Sequence, residues 1–166
     1  MNSGCFGREF KDILISVQAI DKLGKVVTIP ASKINFGYRN NDLDKNLIFL
    51  SASFRGTYRE KKKIESDIKV LKEKKDNSQP TKIKTGGSTF KNPIQQSNKK
   101  VWELIKESVP LDTRFGDAMI SQKHYNFFVN NNNASFKDMK KLIDFVIEKV
   151  KLKTGIKLET EIEIVD

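Results

Sequence analysis

Residues 82–93, KIKTGGSTFKNP, gather Gly86 and Gly87, the adjacent hydroxyls of Ser88 and Thr89, and the side chains of Lys91 and Asn92. Glycines let the backbone turn and approach a ligand, and hydroxyls donate or accept protons, so the stretch suits an oxygen-rich ligand. It would serve equally as an ordinary turn. It is not a phosphate loop, because no GK[ST] ending follows at the required spacing. Upstream, YRNND at 38–42 presents Arg39, whose planar fork of donors suits a carboxylate or phosphate, although an arginine beside a tyrosine is also common surface chemistry. Near the C-terminus, Glu159, Glu161 and Glu163 alternate along one stretch. A general acid or base would sit well at the end of such a strand, and a solvated strand face would look the same. His124, in SQKHYNFFVN, is the single histidine, placed where a hydrogen-bonded structural histidine often precedes a strand.

These groups need elements to hold them. Residues 13–20 (ILISVQAI) and VVTI after DKLGK read as a hairpin turning at Gly24, and residues 47–54 (LIFLSASF) as another strand. Ile64, Ile68 and Leu71 recur at helical spacing among charges, predicting a helix that begins near Thr57 and stops before Pro80. Residues 76–80 are the clearest boundary between a β-rich first part and a mixed second part. Ser97 is a candidate cap for a short helix carrying Val101, Trp102, Leu104 and Ile105. Residues 127–129 make a strand, and the four asparagines after it suit a turn because asparagine tolerates left-handed backbone angles. Ser135 with Asp138 resembles a capping box, opening a helix whose apolar face runs from Met139 to Val150 and which Gly155 stops. IKLETEIEIV then alternates as a half-buried strand with an acidic face. The economical architecture is α+β, with helices on one face of a sheet.

Bulk properties exclude several classes. At 166 residues the chain is long enough for one full core or two small ones. With 37% hydrophobic and 31% charged residues it reads as globular, and no apolar run approaches the ~20 residues that span a bilayer. The first ten residues lack the pattern of a secretory signal, so the expectation is a cytoplasmic protein with no membrane partner. Cys5 and His124, the single cysteine and the single histidine, exclude an internal disulfide and a Cys/His zinc site. The net charge of +10 raises a nucleic-acid-binding module as the alternative function. Ten Lys or Arg residues against five acids in 59–84 hold half of that excess. The acids are interleaved throughout, and a solvated helix with ion pairs explains the run at least as well.

Taken in order, MNSGCFGREFKDIL, FGYRNNDL, SQPTKIKTGGSTFKNP, SQKHYNFFVNNNNAS and TGIKLETEIEIV resemble the C-terminal portion of the UDP-N-acetylenolpyruvoylglucosamine reductase (MurB) family, flavoenzymes of bacterial peptidoglycan synthesis. The resemblance spans nearly the whole chain. SQP followed by GGSTFKNP is its most specific part and is similar to the branch that lacks a tyrosine-bearing loop. Asn41 stands where the family often has serine, and Gly116, Asp117, Ala118 stand where it often has GGA.

The resemblance implies an oxidoreductase in which NADPH reduces bound FAD and the flavin passes a hydride to the enolpyruvyl group of UDP-N-acetylglucosamine enolpyruvate, giving UDP-N-acetylmuramate. By position it implies catalytic roles for Ser88 as proton donor, and for Glu161 and Arg39 at the substrate carboxylate. It implies flavin contacts from Asn2, Gly4, Gly7 and Arg39, and substrate contacts from Gln79, Lys91, Asn92 and His124. The implied fold is part of a flavin-binding subdomain of the vanillyl-alcohol-oxidase type (1–56), a connecting helix (57–76) and a substrate-binding α+β sandwich (77–166). Because the family's pyrophosphate-cradling segments precede the region matched by Met1, the expectation is a truncated reductase, inactive alone and completed by a separate upstream flavin-binding fragment.

Overall fold

A computed structural model describes residues 1–165, which divide into two compact units, Met1–Glu60 and a second beginning at Lys61. In the first, β1 (Gly4–Cys5) and β2 (Arg8–Glu9) form a small hairpin, and β3 (Leu14–Ile20), β4 (Val26–Pro30) and β7 (Ile48–Phe54) form an antiparallel sheet in the order β4-β3-β7. β5 (Phe36–Gly37) and β6 (Asn40–Asn41) make a second hairpin. The expected turn at Gly24 is present: its φ is +78°, and the Asp21 carboxylate accepts the amides of Leu23 and Lys25, both at 2.9 Å. Leu14, Val17 and Ile34 form a small core with Ile29, Ala31, Phe36 and Leu43 against it. All seven residues of β7 are exposed, and beside them lies a cleft of about 310 Å³ whose lining includes Phe10, Phe36, Phe49 and Leu50.

The second unit starts with α1 (Lys61–Ser78), four residues later than Thr57 and with no buried residue. Of the ion pairs expected along it, Lys61 and Glu65 stand 3.8 Å apart. Then follow β8 (Lys84–Ser88), α2 (Val101–Ser108), β9 (Arg114–Phe115), β10 (Ala118–Ile120), β11 (Phe127–Asn130) and α3 (Phe136–Thr154). The sheet order is β8-β11-β10-β9, antiparallel throughout. Phe90, Ala118, Ile120 and Phe128 meet Val101, Leu104 and Ile105 of α2 and Leu142, Ile143, Val146 and Val150 of α3 in one core, the helix-on-sheet arrangement expected. α3 carries its capping box, with the Ser135 hydroxyl accepting the Asp138 amide, and ends at Gly155 with φ +74°. Among the described residues no helix is long and apolar enough to cross a membrane.

Four expectations need correction. Ser97 does not cap α2; its hydroxyl accepts the Lys99 amide, while Glu103 accepts the amide of the cap residue Lys100 at 2.7 Å. The short strands β9 and β10, joined at Gly116 and Asp117, are additional to the expected elements. The asparagine turn uses no left-handed residue; Asn130 Oδ1 instead accepts the amides of Asn132 and Ala134. Finally, IKLETEIEIV is not a ladder-forming strand, for it makes a single bridge, Phe90 with Thr160. The next pairing in that register would fall on Pro93, which has no N–H to give. Gln96 takes over, its side chain donating to Lys157 O and accepting from Lys157 N, both at 3.1 Å.

Candidate active site

The glycine stretch is a strand with a built irregularity. Ser88 pairs with Phe127 and Thr85 with Val129, so three steps on β8 oppose two on β11, a bulge at Gly86 and Gly87. Gly87 has φ +87°, a conformation that favours glycine. Gly86 has no such requirement: a Cβ there would make an ordinary contact, 3.4 Å from Ile162 of the C-terminal segment. Thr85 pins the bulge: its hydroxyl donates to Phe128 O at 2.7 Å and accepts the Gly87 amide at 3.2 Å. The glycines therefore shape a strand end that presents the half-buried Ser88.

Beyond Ser88 the chain runs between two partners. On one edge the C-terminal segment pairs with it: the Glu161 amide donates to Thr89 O (2.8 Å) and the Lys91 amide to Glu159 O (2.9 Å). Backbone pairing thus brings the Glu161 and Ser88 positions together from 73 residues apart in sequence. Glu161 is half-buried, unlike the exposed Glu159 and Glu163, so the acidic row is not one uniform solvated face. Lys91 Nζ lies 3.4 Å from Glu159, an exposed pair worth little by itself. On the other edge stands buried Asn126, whose amide brackets Phe90.

His124 is half-buried against Phe127 (ring centroids 4.9 Å) and Trp102 (6.4 Å). Desolvation holds its pKa below the usual histidine value, and its Nδ1 accepts the Asn126 amide at 3.1 Å. The neutral ring therefore carries its proton on Nε2 and offers a donor there. Asn92 Oδ1 accepts the Val101 amide at 3.0 Å, satisfying the start of α2. Gln79 follows α1, with its amide bonded to Lys75 O.

Arg39, Asn2, Gly4 and Gly7 belong to the first unit. Arg39 lies in the two-residue connection of β5 and β6, at φ +54°, with its guanidinium 5.2 Å from the Tyr38 ring centroid. Asn2 is buried; its amide donates to Glu9 (3.1 Å) and Gly37 O (3.3 Å) and accepts from the Lys11 amide (3.2 Å). Lys11, with help from Asn2, holds the Glu9 carboxyl below its usual range. Gly4 is glycine because a Cβ would meet Arg8 O at 2.9 Å, whereas Gly7 has open space and φ +77°. Among the described residues no cluster of metal-ligating side chains occurs.

The family model for the C-terminal domain of UDP-N-acetylenolpyruvoylglucosamine reductase matches residues 79–165. The chain belongs to this reductase family. Reductases of that name from Pelagibacter ubique (67% identical, 99% of this chain, 54% of the relative) and Rickettsia conorii (42%, 98% and 54%) are similar along nearly its whole length. The crystal structure of UDP-N-acetylenolpyruvylglucosamine reductase (MurB) from Thermus caldophilus is similar at 31% identity and TM-score 0.79, over 98% of this chain and 57% of that one. The chain spans about half the length of the curated relatives it matches. Within the reductase motifs, sequence reasoning missed Asn126 and Thr85. Their partners, Phe90 and Phe128, are 36 and 43 residues away, so no local spacing reveals them.

Proposed function

We propose that the chain supplies the substrate-binding part of a UDP-N-acetylenolpyruvoylglucosamine reductase, an FAD- and NADPH-dependent enzyme of peptidoglycan precursor synthesis. The supporting observation is the pairing of Thr89 with Glu161 inside the segment that the family model matches. In this reading 77–166 is the substrate domain, 57–76 its connector and 1–56 part of a flavin-binding subdomain. The nucleic-acid alternative gains no support from α1, where acids remain interleaved with the lysines.

The first unit by itself does not fit a flavin dinucleotide. Its Asn2 amide is spent internally, Gly4 answers to packing on Arg8, and among its elements there is no α-helix whose N-terminus would meet a pyrophosphate. This reading requires flavin-binding residues beyond those of the first unit, and a separate flavin-binding fragment is one source of them. The chain's own residues would do the rest. The guanidinium of Arg39 and the carboxyl of Glu161 would polarise the substrate carboxylate as charge builds on it, and the Ser88 hydroxyl would donate a proton to the adjacent carbon. Gln79, Lys91, Asn92 and the Nε2 donor of His124 would hold the UDP-sugar.

Two measurements test the proposal. Calorimetry should detect binding of UDP-N-acetylglucosamine enolpyruvate to the purified chain, and absence of binding at millimolar substrate would remove the substrate-domain reading. Mixed with the flavin-bearing portion of a relative, the chain should support NADPH-dependent product formation. There Ser88→Ala should lower product by roughly 10²- to 10⁴-fold while NADPH still bleaches the flavin. Undiminished product from Ser88→Ala would overturn its role.

A further inference from the structure

We propose that Asn126 is a positioning residue that sets the placement of Ser88 and Glu161 with respect to each other and to His124. The inference rests on the roles proposed above for those three residues, none of which includes Asn126. All of its polar parts face them through one intermediary or directly. Its backbone N–H donates to His124 Nδ1 (3.1 Å) and its carbonyl accepts the Thr89 amide (2.8 Å). Its side-chain oxygen accepts the Phe90 amide (2.9 Å) and its side-chain nitrogen donates to Phe90 O (2.8 Å).

The last regular pair of β8 and β11 is Ser88 with Phe127. Past it, the buried residues Thr89 and Phe90 have no strand neighbour on the β11 edge. A carboxamide carries the same donor and acceptor as a peptide group, so Asn126 extends the sheet by one residue with its side chain. Phe90 is thereby held on one edge by Asn126 and on the other by its bridge to Thr160. The Thr89 carbonyl that holds the Glu161 amide is adjacent to Ser88 on the same fixed backbone. Loss of the carboxamide would leave the Phe90 N–H and C=O buried and unpaired, loosening 89–91 and, through Thr89 O, Glu161.

Amide hydrogen exchange on the ¹⁵N-labelled full chain tests this. In Asn126→Ala, protection of the Phe90, Lys91 and Glu161 amides should fall by about tenfold or more, with the Ile143 and Val146 amides of α3 unchanged. Asn126→Asp provides a titratable rescue. A protonated carboxyl offers Phe90 both a donor and an acceptor, whereas the ionised form offers acceptors alone. Across the titration of the introduced carboxyl, followed by its own ¹³C chemical shift, protection at Glu161 should approach the parent's where the carboxyl is protonated and fall toward that of Asn126→Ala where it is ionised. Affinity for UDP-N-acetylglucosamine enolpyruvate should follow the same curve. Parent-like protection at Glu161 in Asn126→Ala, an equal loss across α3, or protection in Asn126→Asp that ignores the titration of the new carboxyl would each overturn the proposal. If the parent chain binds no UDP-sugar, the substrate reading fails, while the exchange data still decide whether Asn126 positions Glu161.

Discussion

The two units spend their apolar residues differently. In the second, thirteen residues from two helices, the sheet and the C-terminal segment are buried together, and among its described residues every left-handed backbone position (Gly87, Gly116 and Gly155) is glycine. In the first, three residues are buried in one cluster, every residue of β7 is exposed, and Asn2, Phe6 and Arg39 occupy left-handed conformations that glycine adopts more easily. The second unit therefore satisfies its own pattern. The first has apolar strand residues, Phe49 at 53% and Leu50 at 52% exposure, that its own elements leave uncovered. Local sequence decides which residues are apolar; whether they are buried depends on what else is packed against them.

Truncation in the two regions should separate them most sharply. Leu142→Ala, at a fully buried position of α3, should destabilise the second unit by about 2–5 kcal/mol. Phe49→Ala, at a half-exposed position of β7, should cost the first unit less than about 1.5 kcal/mol, because little packing is lost. Denaturant titration followed by Trp102 fluorescence for the second unit, and by exchange of the Val17 amide for the first, gives the two numbers. Equal costs would mean that β7 is covered in solution and that the contrast fails.

Backbone strain gives a smaller effect with opposite signs. Phe6→Gly should stabilise the first unit by up to about 1 kcal/mol, the relief of a left-handed residue less the added freedom of an unfolded glycine. Gly155→Ala should destabilise the second by about 1 kcal/mol through the backbone alone, since a Cβ there meets nothing within 4 Å. Midpoints of unfolding for the two variants test both signs. A destabilising Phe6→Gly would show that the Phe6 side chain does more for the first unit than its conformation costs.

The same contrast explains what can be read from sequence. α3 is legible because its cap, apolar face and glycine stop all lie within about twenty residues and agree with one another. The β3–β4 hairpin is legible from Gly24 and the alternation around it. The C-terminal segment misleads because alternation records burial and not hydrogen bonding. Leu158 is buried and Lys157 exposed as expected, yet Pro93 ends the pairing after one bridge. β9 and β10, two and three residues long, are too short to show a period. Ser88 and Glu161 stand out through the family resemblance; their meeting through Thr89, and the Asn126 clamp beside it, come from tertiary pairing that no window of sequence contains.

Acid offers the mildest way to separate the units. His124, in the second unit, has its pKa lowered by desolvation from 6.5, so the unfolded chain binds that proton more tightly than the folded one. Its contribution to stability is complete above pH 6.5 and declines as pH falls toward the folded value. In the first unit the groups shifted on the acid side are carboxylates, while Lys11 is raised from 10.5 by its bond to Glu9, far above this range. Glu9 is lowered from 4.5 by Lys11 and Asn2, and Asp42 and Asp44 are lowered from 3.8 by the amides of Asn35 and Asn46. Their contributions persist until pH drops below about 4.5 and 3.8 and are lost on approach to the folded values. Between pH 6.5 and 4.5, then, the second unit should weaken with acid while the first does not. Trp102, the single tryptophan and a neighbour of His124, reports the second unit's midpoint, and the Val17 amide reports the first. His124→Gln should flatten the Trp102-detected slope in that window. A slope unchanged by that substitution would move the acid sensitivity away from the His124, Phe127 and Trp102 cluster, and parallel slopes at both probes would mean that the units do not unfold independently.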